Sequence, residues 1–337
     1  MNENVKFLGT RVPFPNYVPP VTAWLEHGPF VMWLVQKMQP QTIVELGTHF
    51  GYSFFAMCEA TVQAKLNTSC HAIDTWEGDE HAGRYGAEVY NSVSKHNAAY
   101  EQFASLHKST FAEAVATFED NSIDLLHVDG RHFYEDVKED FEQWIPKLST
   151  SAVVLFHDTE VRERDFGVYR YWAEVSANRL ALNFRHGHGL GVLFWGSEIS
   201  DNLQDLARFS KQNDLRKVVL DFFECAGAAM RERHHAATQI AAIDERINDL
   251  NVANGFLEKK LCGKDSIIEE LRLEVSLLRE KVLFSQKRPH KLLLNLFEYK
   301  ILKGLLLSGS LISQRTRKRF SRSADRRDPN VIHFNLR

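Results

Sequence analysis

Three short strings in the first half of the chain combine residue types that could form one reaction site. They are IVELGTHFGYS at residues 43–53, HVDGRHFYEDV at 127–137 and VVLFHDT at 153–159. Each is an apolar, largely β-branched run that leads into acidic, histidine or glycine residues. In a parallel α/β sheet the carboxyl ends of the strands open on one edge, where ligands bind. The strings therefore predict one crevice with groups suited to a nucleoside cofactor, a divalent metal and a proton acceptor.

The first string has glycines spaced for a tight turn between a strand and a helix. Gly47 and Gly51 follow Glu45, with three residues between the two glycines. This spacing differs from the GxGxxG dinucleotide fingerprint, and the sequence has no GK[ST] string of a P-loop. We expect Gly47 to allow the turn and Gly51 to let the next helix approach a cofactor. Thr48 and Ser53 belong to the same predicted cofactor site.

Two further strand ends complete the predicted cofactor site. Asp74 ends the second strand, where an acidic side chain can accept the hydroxyl groups of a ribose. Trp76 follows in residues 75–86, a loop rich in aromatic and charged side chains. We interpret this loop as a substrate lid, with an ordinary surface loop as the alternative. Ser109 and Thr110 close the third strand, where a hydroxyl could meet an adenine edge, although a helix N-cap here is at least as good an interpretation.

The fourth and fifth strand ends supply groups for catalysis. Asp129 and Asp158 end strands that we expect to be neighbours, about 5 Å apart, so their carboxylates could bind one cation. Oxygen ligands of this kind suit Mg²⁺. His132 would remain free as a general base, because imidazole titrates near neutral pH. Each residue alone also has a structural interpretation as a helix cap, a turn residue or a core histidine.

The order of segments predicts the sheet that positions these residues. Apolar runs alternate with helical patterns over the first 200 residues, which favours a doubly wound, Rossmann-like α/β sheet. Two later runs joined by Gly-His-Gly-Leu predict a terminal antiparallel hairpin. The expected parallel strands are 42–47, 70–74, 105–109, 123–129 and 152–158, and the hairpin strands are 182–186 and 191–195.

The glycine pattern and the string IDLLHVDGRHFYEDVKEDFEQWIPKLSTSAVVLFHDT resemble class I S-adenosylmethionine (SAM)-dependent methyltransferases. The resemblance is to the family that includes macrocin-type sugar O-methyltransferases and cephalosporin-hydroxylase-like proteins, and it covers about residues 40–196. It implies SAM as cofactor, often Mg²⁺, and methyl transfer to a sugar hydroxyl. By position, Asp129 and Asp158 would bind the metal and His132 would be the base. His157 stands where metal-using relatives commonly have Glu, and it could still bind the metal.

The second half of the chain carries a different periodicity. Apolar residues follow a 3,4 spacing from Ile240 to Val282, which predicts a coiled coil over residues 236–286. Mostly β-branched a positions with Leu at d favour a parallel pair, and therefore a homodimer or higher oligomer. Gly255 and Gly263 weaken the middle of the pattern. The alternative is a long helix that folds back on the globular domain.

Composition and charge indicate a folded, cytoplasmic protein with several modules. Of the 337 residues 44% are hydrophobic and 25% charged, the four cysteines lack paired spacing, and no apolar signal core begins the chain. Residues 1–200 carry 15 basic and 26 acidic side chains (−11) and the remainder 26 and 18 (+8), which together give −3. We expect a methyltransferase domain at 1–200, a helical connector at 201–235, the coiled coil, and an apolar-basic tail at 287–337.

The tail could hold the protein at the inner face of a membrane, because an apolar stretch precedes the basic cluster RTRKRFSRSADRR. A packing helix followed by a solvated tail is the alternative, and we expect no nucleic-acid partner. The predicted function is SAM-dependent O-methylation of a sugar in a cell-surface polysaccharide or a glycosylated metabolite. The alternatives are a non-catalytic scaffold of a polysaccharide assembly complex and a SAM-dependent transferase with a non-sugar acceptor. The retained acidic and histidine residues favour an enzyme, since a scaffold need not keep them.

Overall fold

A seven-stranded mixed sheet forms the centre of the protein in its computed structural model, which describes residues 12–257 and 265–287. The sheet strands are β1 (Thr42–Leu46), β2 (Ser69–Asp74), β5 (Ala104–Lys108), β6 (Ile123–Val128), β7 (Leu148–His157), β8 (Ala181–Phe184) and β9 (Leu190–Phe194). A separate short ribbon pairs β3 (Gly78–Asp79) with β4 (Gly83–Arg84).

The strand order is β5-β2-β1-β6-β7-β9-β8. The first five of these strands are parallel, and β9 runs antiparallel to both β7 and β8. The prediction of five parallel strands and a terminal antiparallel hairpin is confirmed. The later strand of that hairpin is inserted next to β7, so the loop before β9 lies at the carboxyl end of β7.

Helices cover the sheet, and their apolar faces form its core. Described helices are α1 (Gly28–Met38), α2 (Tyr52–Ala64), α3 (Ala87–Asn97), α4 (Phe111–Ala114), α5 (Tyr134–Trp144), α6 (Val168–Ser176), α7 (Gln204–Ser210), α8 (Asn213–Leu257) and α9 (Asp265–Lys287). In α5 the buried residues Val137, Phe141 and Trp144 lie on one face, as the spacing predicts. The same spacing in the sequence predicts a helix from Phe133 to Leu148, but Leu148 begins β7 after a short turn that contains Pro146.

The first half of α8 belongs to the globular part of the protein. Its Phe223 ring lies 5.0 Å from Phe30 and 5.1 Å from Trp33, both in α1. Gly227 allows a close approach, because a Cβ there would lie 2.5 Å from the carbonyl oxygen of Glu26. α8 therefore runs without interruption through residues 235 and 236, where the sequence pattern predicts a boundary between connector and coiled coil.

The heptad pattern is divided between two helices that contact each other. Arg279 of α9 forms an ion pair with Asp244 of α8 at 2.9 Å. In one continuous helix these residues would lie about 52 Å apart, at 1.5 Å per residue, so α9 folds back along α8. Ile268 and Val275, two predicted seam residues, are buried. The predicted weak point at Gly263 lies outside the described residues, and coiled-coil pairing of two copies stays a prediction.

The structure bears on two further predictions, the contact with a membrane and the lack of structural disulfides, only in the described residues. Among the described helices, none combines the length and apolarity required to cross a bilayer. The described cysteines Cys58, Cys70 and Cys225 form no disulfide. The apolar-basic tail, with its predicted membrane contact, lies outside the described residues.

Candidate functional site

The carboxyl ends of the parallel strands open on a cavity of about 1080 Å³. Small-molecule sites usually occupy roughly 300–1,000 Å³, so this cavity has room for a cofactor and a second molecule. Most of the predicted site residues line it, as expected from their positions after the strands. These are Gly47, Thr48, Gly51, Ser53, Asp74, Asp129, His132, His157 and Asp158.

Three residues predicted to contact the cofactor do not line this cavity. Glu45 is fully buried behind it, because its side chain points into the protein and its Oε2 lies 2.8 Å from Nδ1 of His127. The buried Trp76 indole donates through Nε1 to the carbonyl oxygen of His49 at 3.0 Å. Ser109 donates its backbone N–H to the carbonyl oxygen of Asp74 at 3.2 Å. Their positions in this structure suit a supporting role in the walls, and their contact with a cofactor stays a prediction.

The alternative interpretation of the third strand end as a helix cap is confirmed at Thr110. Thr110 is the N-cap of α4, and its side chain accepts a hydrogen bond from the N–H of Glu113 at 3.3 Å. The Glu113 carboxylate accepts the N–H of Thr110 at 3.0 Å, which completes a capping box. Thr110 and the next residue, Phe111, line the cavity.

The glycine turn after β1 brings the first and fourth strand ends into contact. Gly47 has φ +88°, and a Cβ there would lie 2.0 Å from the carbonyl oxygen of Asp129. The N–H of Asp129 donates to the carbonyl oxygen of Leu46 at 2.8 Å. Beside this turn the buried Oγ1 of Thr48 has no hydrogen-bond partner in the described part of the chain. That hydroxyl is available to a ligand in the cavity.

Asp74 clamps the loop that follows β1. Its Oδ2 accepts the backbone N–H groups of Thr48 at 2.8 Å and His49 at 2.9 Å. Its Oδ1 accepts the N–H of Trp76 at 2.7 Å. A carboxylate has about four acceptor positions, so little capacity remains for the two ribose hydroxyls predicted to bind here. Shaping the loop is therefore its main role in this structure.

Asp129, His132 and Asp158 form an acidic-histidine cluster in which one ligand atom from each lies within 4.8 Å of the others. Nε2 of His132 donates to Oδ2 of Asp158 at 2.8 Å and lies 3.7 Å from Oδ1 of Asp129. Burial favours the neutral ring, but the two carboxylates outweigh it and raise the pKa of His132 to about 9. The ring is therefore protonated at neutral pH in the protein without ligands.

Two more histidines stand close to these carboxylates. Nδ1 of His157 lies 3.3 Å from Oδ1 of Asp129 and 3.5 Å from Oδ1 of Asp158. Burial opposes protonation of His157, yet the charges of Asp158 and Asp129 raise its pKa well above the usual value. Nδ1 of His188 lies 3.4 Å from the same oxygen of Asp158. Sequence reasoning missed His188, because its Gly-His-Gly loop indicates only a hairpin turn.

The donor atoms in this cluster do not fit the expected Mg²⁺. Magnesium takes oxygen ligands in near-octahedral geometry and usually keeps several waters. Here imidazole nitrogens of His132, His157 and His188 surround the Asp158 carboxylate at 2.8–3.5 Å. Imidazole suits transition-metal ions instead. We therefore derive no step of the reaction through Mg²⁺.

Asp140 is a second cavity residue that the sequence did not reveal. It belongs to α5, where the periodicity draws attention only to the apolar face. Burial, with the charges of Asp136 and Glu139, raises its pKa to about 7. It lies close to Gly130 and Phe111, since a Cβ on Gly130 would meet the Phe111 ring and Oδ2 of Asp140. This wall of the cavity therefore offers an aromatic ring beside a carboxyl group that can hold a proton.

The predicted lid loop meets the loop that follows β7. His81 donates through Nε2 to the carbonyl oxygen of Arg164 at 2.8 Å. The His132 ring stacks on Phe166, with centroids 4.6 Å apart and an interplanar angle of 22°. The two loops thus cover one side of the cluster and fix the orientation of the His132 ring.

Residues 44–159 match a protein-family model described as a methyltransferase domain. The match runs from β1 to just past Asp158, so it includes the Gly47 turn together with Asp129, His132 and Asp158. The chain is also 46% identical over 316 residues to "Uncharacterized protein y4gI" of Sinorhizobium fredii (strain NBRC 101917 / NGR234). That alignment covers 94% of this chain and 33% of the relative, so the chain spans about a third of the relative's length.

Solved methyltransferase structures are similar at low sequence identity. The SAH-bound methyltransferase PaMTH1 of Podospora anserina is 16% identical, with 58% of this chain and 88% of that chain covered and a TM-score of 0.39. The O-methyltransferase of Bacillus cereus in complex with SAH is 16% identical, with 54% and 84% covered and a TM-score of 0.37.

Proposed function

We propose that this chain is a SAM-dependent methyltransferase that methylates a hydroxyl group of a sugar, in a cell-surface polysaccharide or a glycosylated metabolite. One observation carries the proposal: the Gly47 turn and the acidic-histidine cluster share a single large cavity, lined mostly by the region that matches the methyltransferase-domain model. The sugar acceptor rests on the resemblance of the DGRH and HDT strings to sugar O-methyltransferases.

The cavity has features that suit SAM. The unpartnered hydroxyl of Thr48 lies beside the turn that leads into α2. The wall beside Gly130 presents Phe111 and Asp140, an aromatic face and a carboxyl group suited to a purine base. Bound SAM supplies a methyl group on a positively charged sulfonium. Asp129 and Asp158 would attract that charge.

His132 is the residue that we propose as the proton acceptor. Its Nε2–H donates to Asp158, so a neutral ring carries its lone pair on Nδ1, which has no partner in the described structure. With a pKa of about 9 the ring must first lose a proton, and a bound cation in the cavity favours that loss because like charges repel. The hydroxyl proton then moves to Nδ1 while the new carbon–oxygen bond forms and the methyl–sulfur bond breaks.

The strained and charged interior of the site argues against the scaffold alternative. Asp158 is buried and has φ +58°, a left-handed conformation that is unfavourable for a residue other than glycine. Burying several ionisable groups without matched hydrogen bonds also destabilises a fold. Such features persist where a reaction needs them, whereas a scaffold gains nothing from them.

Calorimetric titration with SAM, followed by transfer of labelled methyl groups, tests the proposal. The acceptor panel contains sugar nucleotides, lipid-linked sugars, polysaccharides and a catechol. We expect SAM binding and labelling of a sugar-containing acceptor, both reduced in a Thr48→Val variant. Absence of SAM binding would favour the scaffold, and labelling of the catechol alone would favour a non-sugar acceptor.

A further inference from the structure

We infer that the acidic-histidine cluster binds a transition-metal dication such as Zn²⁺ or Co²⁺, and not Mg²⁺, through Asp129, His157, Asp158 and His188. The inference concerns the same cavity as the proposed methyl transfer. The metal inference is tested without SAM or acceptor, so it and the proposed methyl transfer can fail separately.

Three distances among the four proposed ligands are longer than hydrogen bonds between charged groups. From Oδ1 of Asp129 to Nδ1 of His157 and on to Oδ1 of Asp158, the separations are 3.3 and 3.5 Å. Nδ1 of His188 is 3.4 Å from that same oxygen of Asp158. Charge-assisted hydrogen bonds measure about 2.7–2.9 Å. Ligand atoms held about 2.0–2.1 Å from a tetrahedral zinc ion lie about 3.3–3.4 Å from one another, close to the separations found here.

The two oxygens of Asp158 differ in their partners. Oδ2 accepts a short hydrogen bond from His132 at 2.8 Å. Oδ1 has only long contacts among the described residues, to Nδ1 of His157 at 3.5 Å and Nδ1 of His188 at 3.4 Å, although Asp158 is only 5% exposed. A buried carboxylate oxygen requires a donor or a cation. The metal ion is therefore placed at Oδ1, and His132 stays outside its ligands.

The tautomer of His157 is the one that a metal ligand needs. Its Nε2 lies 3.2 Å from the carbonyl oxygen of Gly187 and must donate, since a carbonyl only accepts. In the neutral ring Nδ1 then carries the lone pair, which faces the carboxylate oxygens of Asp129 and Asp158. The positive charge that these two carboxylates attract is either a proton on Nδ1 or a metal ion bound to its lone pair. Metal-bound histidines commonly donate their other N–H in this way to a backbone carbonyl.

A second buried pair stands behind Asp129. Nε2 of His127 lies 3.9 Å from Oδ2 of Asp129, and Nδ1 of His127 lies 2.8 Å from Oε2 of Glu45. A carboxylate–histidine pair of this kind orients the groups that contact a metal. It also gives the buried Glu45 a role in the site, although Glu45 does not line the cavity.

Metal binding to the full chain tests the inference. Protein freed of metal by chelation is titrated with Co²⁺, followed by visible absorption, and with Zn²⁺ and Mg²⁺ by calorimetry. We expect one Co²⁺ or Zn²⁺ per chain, a cobalt absorption band of nitrogen and oxygen ligation, and no displacement of Co²⁺ by a large excess of Mg²⁺.

The variants separate ligands from neighbours. His188→Asn should weaken Co²⁺ binding by at least about 10-fold, and Asn tolerates the φ of +68° found there. His49→Asn is the control, because His49 also lines the cavity with φ +48°, and the described structure shows no hydrogen bond or ion pair from its side chain to the four ligands, only a longer-range charge interaction with Asp129. His132→Asn removes a hydrogen bond to Asp158 but no proposed ligand, so it should weaken Co²⁺ binding less than His188→Asn does. Circular dichroism confirms that each variant folds.

Three results would overturn the inference: no dication binds, Mg²⁺ displaces Co²⁺ at comparable concentration, or His188→Asn and His49→Asn behave alike. Titration of the metal-free protein with SAM separates this question from the proposed function. Metal binding without SAM binding would support this inference and contradict the methyltransferase proposal. SAM binding without metal binding would contradict this inference and leave the methyltransferase proposal standing.

Discussion

Gly47 and Asp129 approach so closely that no side chain fits between them. A Cβ on Gly47 would lie 2.0 Å from the carbonyl oxygen of Asp129, on the neighbouring strand end. The Gly47 turn and the acidic-histidine cluster are thereby joined through backbone atoms. A change in the turn must displace the cluster, even though the two are 82 residues apart in sequence (129 − 47).

Gly47→Ala should therefore reduce both stability and SAM binding. Gly83→Ala is a matched control, because Gly83 has a similar φ of +82° but a Cβ added there would meet nothing within 4 Å. Both variants bear the conformational strain of a positive φ, roughly 1–2 kcal/mol, and overpacking should destabilise Gly47→Ala by about 1–3 kcal/mol more. Urea unfolding and SAM calorimetry measure the two effects. Equal behaviour of the two variants would contradict the close approach.

Asp74→Asn should weaken SAM binding, because the loop after β1 loses hydrogen bonds that hold its conformation. An amide offers one acceptor oxygen where the carboxylate bonds three backbone N–H groups. Asp124→Asn is the control: Asp124 accepts the N–H groups of Gln41 and Thr42 at the opposite edge of the sheet. We expect both variants to lose about 1–3 kcal/mol of stability, but only Asp74→Asn to lose SAM affinity. Loss of affinity in both would show a general effect of destabilisation.

His132→Asn should lower kcat while leaving SAM affinity within a few-fold of the wild type. Loss of a general base typically slows a reaction by about 10²- to 10⁴-fold. The control is His81→Asn, which removes the hydrogen bond to Arg164 but leaves the carboxylate cluster intact. Steady-state kinetics with the acceptor found in the panel distinguish kcat from KM. An unchanged kcat would assign the proton to another group.

Asp140→Asn should stabilise the protein at alkaline pH. The pKa of Asp140 is raised from 3.8 to about 7 in the folded state, so the folded protein retains a proton that the unfolded chain releases. Stability therefore falls as pH rises from 3.8 to about 7, and the penalty is complete above that range. We expect the free energy of unfolding of the variant to exceed that of the wild type by at least about 1 kcal/mol at pH 8. The difference should be smaller at pH 5. Urea midpoints at the two pH values test this, and an equal difference at both would contradict the raised pKa.

Pairing of two copies through α8 and α9 is the remaining prediction. Leu273 and Leu277 lie one turn apart on α9 and are 64% and 53% exposed. If they pack against a second copy, Leu273→Glu with Leu277→Glu should convert a dimer into a monomer in light scattering. Arg272→Glu with Glu274→Arg, on flanking positions, is the charge control. A monomeric wild type would remove the dimer proposal and leave the helical hairpin unaffected.

The site residues that could be predicted from the sequence are those that directly follow a strand. Asp129 and Asp158 follow apolar runs, and parallel pairing of β6 with β7 brings them together. His188 was not predictable in this way, because its position depends on the insertion of β9 beside β7, where Leu190 pairs with His157. Local sequence does not encode which strand a hairpin joins.

The orientation of single side chains was equally hard to derive from the sequence. Glu45 belongs to a cofactor-like motif, yet its strand turns it toward His127. The heptad pattern fits a pair of chains and a helix folded on itself equally well, since both bury one apolar seam. In the described residues the internal pairing of Arg279 with Asp244 is the arrangement found.

The continuity of α8 has a mechanical consequence. Its last described hydrogen bond to the globular part joins Arg233 to Asn16, and the helix continues to Leu257. Those 24 residues (257 − 233) project over about 36 Å at 1.5 Å per residue. A partner that binds at the far end is thus held at a set distance by a stiff arm rather than by a tether. Its reach toward the cavity is fixed by the length of the helix, and insertion or deletion of residues in that arm would change the spacing and the rotation together.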